Sequence, residues 1–351
     1  MQVFKHCLIE KNFSLSNKKE VPHQSWFVFF LFSLSILMGC SDNAIPNHVA
    51  TNKKVKGKQE DVFLQRSANQ VDIFVNNQPF TSYHFSGYNK PIFFPLRAAS
   101  GKIITRGYPM VKNIPGESHD HQHHTGLWFT HGDINGVDFW TEAPNSGKIK
   151  HRRFDLIESG KQTGTIKSRN DWLLPSGKKV LDELREVKIY KRAKSRVMDF
   201  IFQLTAINGP VKFGDTKEGT FGIRLTHFFT EKEGAIILNS QGKNGERGCW
   251  GKAARWVDYS TEISQESLGV TILDHPQSFR HPTYWHARGY SLFTANPFGL
   301  HDFYNDKTRD GSHLLKQGES ITFHYRIYIH PGNASSAGIE EEYRSFSETT
   351  H

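Results

Sequence analysis

Only three of the 351 residues are cysteine. Cys7 and Cys40 fall within an N-terminal export segment, which leaves Cys249 alone. A lone thiol cannot close an intrachain disulfide, so the folded part must be held by its apolar core. Long hydrophobic runs are also missing. The longest, WFVFFLFSLSILM at 26–38, is shorter than the roughly 20 residues of a membrane helix. No Arg/Lys-rich helix or aromatic RNA-binding motif is present, which argues against nucleic acid as a partner. No segment before residue 336 sustains a 3.6-residue hydrophobic period. No fixed-period repeat and no domain-scale linker interrupts 61–335.

The apolar run supplies an address. Lys5, Lys11, Lys18 and Lys19 precede it, as in the positively charged start of a signal peptide. It ends at Leu37-Met38-Gly39-Cys40, which resembles a bacterial lipobox, where cleavage leaves Cys40 as the lipidated N-terminus. Residues 1–40 are therefore expected to be a lipoprotein signal peptide. Residues 41–60, polar and lysine-rich, read as a flexible tether. The expected location is periplasmic or cell-surface, held to a membrane through the lipid. The formal charge of the whole chain is +9, and removing four Lys and two Glu with residues 1–40 leaves +7. A mildly basic surface favours anionic partners such as acidic polysaccharides.

What remains reads as all-β. Alternation recurs at 71–75, 80–85, 92–96, 184–190, 196–207, 221–229, 234–239, 268–273, 290–295 and 320–330. Short strands with polar or glycine-bearing links predict one large antiparallel β-sandwich over 61–335. Lys178–Glu186 could pass for a helical turn. Residues 336–351 are expected to form a short C-terminal helix or tail.

Two segments carry the chemistry. Within 116–140, His119, His121, His123, His124 and His131 fall within thirteen positions, among Trp128, Phe129, Phe139 and Trp140. Histidine titrates closest to neutrality and ligates metals, so the cluster points to proton transfer or metal binding. On an extended strand His119, His121 and His123 would share one face and could hold a divalent metal. The GxxHxH spacing is cupin-like, but a cupin's glutamate is missing from Thr125-Gly126-Leu127-Trp128. The second segment, 274–301, carries His275, His281, His286 and His301 with Arg280, Tyr284, Trp285, Arg288 and Asn296. Between the two, Arg224 and His227 sit on an expected strand, preceded by Lys217 and Glu218. An arginine there suits bidentate pairing with a carboxylate.

The stretches RGYPM (106–110), DHQHHTGLWFTHGDINGVDFW (120–140), GIR (222–224), ARWVDYS (254–260) and DHPQSFRHPTYWHARGYSLFTANPFG (274–299) resemble a bacterial family labelled "methane oxygenase PmoA". That family is otherwise treated as a domain of unknown function. The resemblance covers roughly residues 65–335. The family's usual form has Pro at position 122 and Arg at 125, where this chain has Gln122 and Thr125. A methane monooxygenase subunit of that name spans the membrane many times. The mean hydropathy here is −0.55, so the label is not read as an activity. The resemblance implies a supersandwich like that of galactose mutarotases and a role in carbohydrate metabolism.

The expected function is a carbohydrate lyase or dehydratase acting on uronate-containing oligosaccharides by β-elimination, without a cofactor. His121, His124, His281 and His286 are the expected acid and base, with Tyr284 as another proton carrier. Arg224 and Arg288 would neutralise the carboxylate, and Trp140 and Trp285 would stack on sugar rings. His131 and Asn296 complete the expected binding set. Three other readings stand beside it: a mutarotase- or epimerase-like enzyme using Glu117, Glu218 or Asp274, a metal-dependent glycan hydrolase, and a non-catalytic glycan-binding lipoprotein.

Overall fold

The structure, a computed structural model, describes residues 61–349. The signal peptide, the tether and Cys40 lie outside the described residues. Two eight-stranded antiparallel sheets dominate. The first runs in the order Val62–Arg66, Gln70–Val75, Gln78–His84, Ile92–Phe93, Leu127–His131, Gly219–Arg224, Leu292–Ala295, Trp285–Arg288. The second runs Ile236–Asn239, Trp256–Ile263, Glu266–Asp274, Ser320–Pro331, Arg196–Ala206, Lys179–Tyr190, Thr163–Leu173, Lys148–Glu158. A short ribbon pairs Val211–Phe213 with His313–Leu315. The chain is an all-β antiparallel sandwich, as its alternation predicts.

The inner faces meet through aromatic rings. Phe129 stacks on Phe202 with centroids 3.9 Å apart, Phe93 meets Phe200 edge-on at 5.3 Å, and Phe221 stacks on Tyr325 at 5.1 Å. Each pair joins one sheet to the other, and burial of such rings supplies most of the favourable folding free energy.

A buried ion pair interrupts this apolar layer. Glu183 accepts hydrogen bonds from Arg185 Nε at 2.7 Å, Trp172 Nε1 at 2.8 Å and Asn170 Nδ2 at 3.0 Å. Its side chain and that of Arg185 are essentially inaccessible to water. Glu183→Ala would leave Arg185 charged and unpaired, which costs roughly 3–5 kcal/mol. Denaturant unfolding checks this; a loss below about 1 kcal/mol would mean the core tolerates a lone guanidinium.

Three expectations change. The strand foreseen over 221–229 stops at Arg224, and His227–Phe229 forms a 3-10 turn. The possible helical turn at 178–186 is strand, Lys179–Tyr190. The strands Lys148–Glu158 and Thr163–Leu173 escape the alternation test. The first carries register shifts at His151/Arg153 and Phe154/Leu156 that break its period. The second turns Ser168 and Asn170 inward, where apolar residues are expected, because they serve Tyr83 and Glu183. The C-terminal helix, Ile339–Ser347, packs Ile339, Tyr343 and Phe346 against Trp256 and Leu273.

The connection over 94–126 matters most for the site. Its chain returns to the first sheet at Gly126, whose φ is +69°. A side chain there would meet the Phe93 carbonyl oxygen at 2.4 Å, so only glycine permits this close approach.

Candidate functional site

Strand alternation divides the first sheet's residues between two faces. Phe129, Phe221, Ile223, Trp285, Ala287 and Phe293 join the main core between the sheets. Trp128 and Leu292 join a separate apolar cluster with Trp140. Register places Gly222 opposite Trp128, Thr294 opposite His286, and Leu292 opposite both Arg224 and Arg288. These residues form the floor on the sheet's open side, and the 94–126 connection supplies one wall.

On that floor lies a cleft of about 260 Å³. His121, His124 and His286 line it together with Lys217, Glu218, Arg288 and Tyr290. The imidazoles of His121 and His124 stack in parallel, 4.8 Å apart and inclined by 5°, and Trp128 continues the stack below His124. His121 holds a left-handed φ of +42°, uncommon for a residue with a side chain. It lies in a loop, so His119, His121 and His123 do not form the single strand face foreseen for a metal. His119 stacks instead on Tyr108 at 4.7 Å. Among the described residues, no group of three or more His, Cys, Asp or Glu is arranged to hold a metal ion.

Hydrogen-bond partners assign each ring its proton. Arg224 Nη1 lies 3.1 Å from His124 Nδ1. Guanidinium only donates, so Nδ1 accepts and the proton of His124 resides on Nε2. His286 Nδ1 lies 2.9 Å from the carbonyl oxygen of Lys217, so Nδ1 donates and Nε2 keeps its lone pair. His121 Nδ1 lies 3.0 Å from Asp120 Oδ2 and donates to it, so in the neutral ring the lone pair is on Nε2. One cleft thus presents a fixed donor, His124, and two acceptors, His121 and His286.

Asp120 organises this set. Its Oδ1 receives Arg106 Nη1 at 2.6 Å and Arg224 Nη2 at 3.2 Å. Burial opposes its charge, but Arg224 and hydrogen bonds from Ser118, His121 and Arg106 bring its pKa down to about 2. Burial pushes His286 down to about 3 and holds His124 well below the usual range, so both are neutral at physiological pH. Burial raises Glu218, which favours its protonated form although Lys217 works against this. Arg288 pairs with Glu246 at 3.2 Å and lies over the rings of Trp250 and Tyr290.

Several expected residues stand elsewhere. His281 does not line the cleft: it hydrogen-bonds buried Asp274 at 2.8 Å and lies 3.4 Å from the Tyr343 hydroxyl, beneath the C-terminal helix. Tyr284 bonds Tyr304 at 3.2 Å and is outside the cleft lining. Trp285 is fully buried and donates to the Ala254 carbonyl, because it neighbours His286 on a strand and so faces the opposite way. Trp140 is buried against Trp128 and His124, supporting the histidines rather than offering a sugar platform. His131 is turned inward and bonds the Gly214 carbonyl at 3.0 Å. Asn296 is buried and donates to the Thr216 carbonyl, steadying the loop that carries Lys217 and Glu218. Arg224 lies beside the cleft and acts on His124, while Arg288 lines the cleft itself.

Asp120, Lys217, Glu218 and Tyr290 were not singled out as leading site residues by sequence. For Tyr290 strand alternation gives no signal, because the strand ends at Arg288 and Tyr290 lies in the turn that follows. For Asp120 none existed, since its role depends on two arginines 14 and 104 positions away.

No curated protein matches the sequence. Among solved structures, the chain is similar to a galactose mutarotase-like protein from Clostridium acetobutylicum, with 9% identity over 78% of this chain and 100% of that one, TM-score 0.41. It is similar to the GH36 α-galactosidase AgaB from Geobacillus stearothermophilus, with 10% identity over 79% of this chain and TM-score 0.40. The match spans 40% of the length of that α-galactosidase. A galactose mutarotase related enzyme from Lactobacillus acidophilus shares 8% identity over 79% of this chain and 99% of its own, TM-score 0.31. A family model matches residues 70–344, and the chain belongs to that family, the family of unknown function DUF6807.

Proposed function

We propose that this protein is a carbohydrate-active enzyme that performs β-elimination on uronate-containing oligosaccharides, as a lyase or a dehydratase. The observation that carries the reading is the cleft itself: acceptor and donor imidazoles of opposite tautomer converge with two cations. Arg288 and Lys217 bind the uronate carboxylate and stabilise the charge that spreads onto it when the adjacent carbon loses its proton. His121 Nε2 takes that proton, and Asp120 stabilises the imidazolium through Nδ1. The carbon–hydrogen electron pair becomes the new carbon–carbon double bond, and the β carbon–oxygen bond breaks. Glu218, whose pKa burial raises, acts as the acid: in its protonated form it gives its proton to the departing oxygen, which leaves as water or as a sugar hydroxyl. His124 Nε2–H donates a hydrogen bond to the enolate-like oxygen, and His286 Nε2 accepts one from a substrate hydroxyl.

Incubation with a panel of uronate oligosaccharides tests this through the ultraviolet absorbance of the unsaturated product. Absence of such absorbance across pectic, alginate, glycosaminoglycan and algal uronates would sink the reading. Glu218 beside His286 favours one second reading, a mutarotase- or epimerase-like enzyme in which the carboxylate is the base. Anomer interconversion with no absorbance change would support it.

The anchor belongs to the same proposal: lipid on Cys40 would hold the enzyme at a membrane on the non-cytoplasmic side, where polymer fragments arrive. Cys40→Ala is expected to move the protein from the membrane fraction to the soluble exported fraction. Unchanged membrane retention would contradict lipidation at that residue.

A further inference from the structure

A second cavity of about 200 Å³ backs onto the first, and the two share Tyr290. Ligand pockets for drug-sized molecules run roughly 300–1,000 Å³. Each cavity alone lies below that range, and together they fall inside it. Tyr290 is the partition. Arg224 of the second cavity lies over its ring at 4.6 Å, Arg288 of the first at 5.4 Å, and His121 stacks on it at 5.6 Å. Asp120 spans the wall as well: it lines the second cavity while its Oδ2 holds the His121 of the first.

The two compartments differ in charge. The first holds Lys217 and Arg288 against a single carboxyl, Glu218. The second sets Arg106, Arg224 and Lys232 against Glu117, Asp120 and Glu233. A further acidic group there would meet three carboxylates. A hydroxyl both donates and accepts, so a lining of alternating cations and carboxylates suits uncharged polyols. Arg106 and Arg224 are nearly inaccessible and held by Asp120, so the charge pattern of this lining is fixed before any ligand arrives.

Resting on the β-elimination reading for the first compartment, we infer that the second is a subsite for a neutral sugar unit joined to the uronate. The preferred substrate is then a mixed oligosaccharide, with the acidic ring over the histidines and the neutral ring beyond Tyr290.

Affinity and turnover on the full-length protein test this with three ligand types. These are a uronate methyl glycoside, disaccharides of one uronate and one neutral sugar in both linkage orders, and a disaccharide of two uronates. A mixed disaccharide is expected to bind at least about tenfold more tightly than the glycoside, the yield of one or two net hydrogen bonds. The two-uronate disaccharide is expected to gain nothing over the glycoside. Lys232→Ala with Glu233→Ala, both at exposed positions, should bring the mixed-to-glycoside ratio close to one. Equal affinity for the glycoside and both mixed disaccharides overturns the subsite, as does tightest binding by the two-uronate ligand. If no ligand is turned over, the elimination reading fails, and the affinity ratios still decide the subsite by themselves.

Discussion

His121→Ala is expected to lower turnover of a uronate oligosaccharide by roughly 10²–10⁴-fold, the usual contribution of a positioned acid or base. The loss should fall on kcat more than on KM, because in the proposed mechanism Arg288 and Lys217 would still hold the carboxylate. The folded state should be little affected, since the side chain is exposed and lies in a loop. Asp120→Asn should lose activity for a related reason. An amide cannot stabilise the imidazolium, and the hydrogen bonds that fix Arg224 against His124 are weakened. The contrast lies in His281→Ala, which removes a partner of buried Asp274 outside the cleft lining and should cost stability rather than chemistry. Equal kcat losses for His121→Ala and His281→Ala would break the assignment of roles. Melting temperature, measured beside the kinetics, separates the two kinds of loss.

Acidification below about pH 6.5 is expected to destabilise the protein through two buried histidines. His131 and His286 are fully buried, and burial lowers their pKa values from 6.5 to about 4 and about 3. Above about pH 6.5 both are neutral in the folded and unfolded chain, and their contribution to stability is complete. Below that, the unfolded chain takes up protons that the folded chain refuses, so stability falls as pH falls. The slope approaches ~1.4 kcal/mol per pH unit for each histidine, until the folded values are reached near pH 4 and pH 3. The loss amounts to several kcal/mol, on the order of the total stability of an ordinary domain. Unfolding free energies measured from about pH 7 to about pH 4 should show it, and His286→Ala should remove one histidine's share of the slope. A stability flat from neutrality down to about pH 4.5 would mean that these rings are charged in the folded state.

The fold was legible where alternation was clean. Arg196–Ala206 and Ser320–Pro331 stand close to where the pattern puts them. It failed where the core is polar. Ser168 and Asn170 face inward to serve Tyr83 and Glu183, and no local pattern announces a buried ion pair. The site was legible as two histidine segments but not as a set of partners. His121, His124 and His286 meet although up to 165 positions separate them in sequence, whereas His281 turns toward the C-terminal helix. Trp285 illustrates the error most simply. Composition placed it beside His286 as a sugar platform, yet adjacent strand residues face opposite sides, so one of the two had to be core. The tautomers were beyond sequence altogether. They depend on Arg224, Asp120 and the Lys217 carbonyl, which only the folded chain brings to the rings.

The central claim is that this cleft removes the proton next to a uronate carboxylate. A uronate oligosaccharide carrying deuterium on that carbon, incubated with the purified full-length protein, tests it most directly. Product is expected to form more slowly than from the unlabelled substrate, with the deuterium passing to solvent and a carbon–carbon double bond gained. Turnover with the deuterium retained on its carbon would contradict the claim.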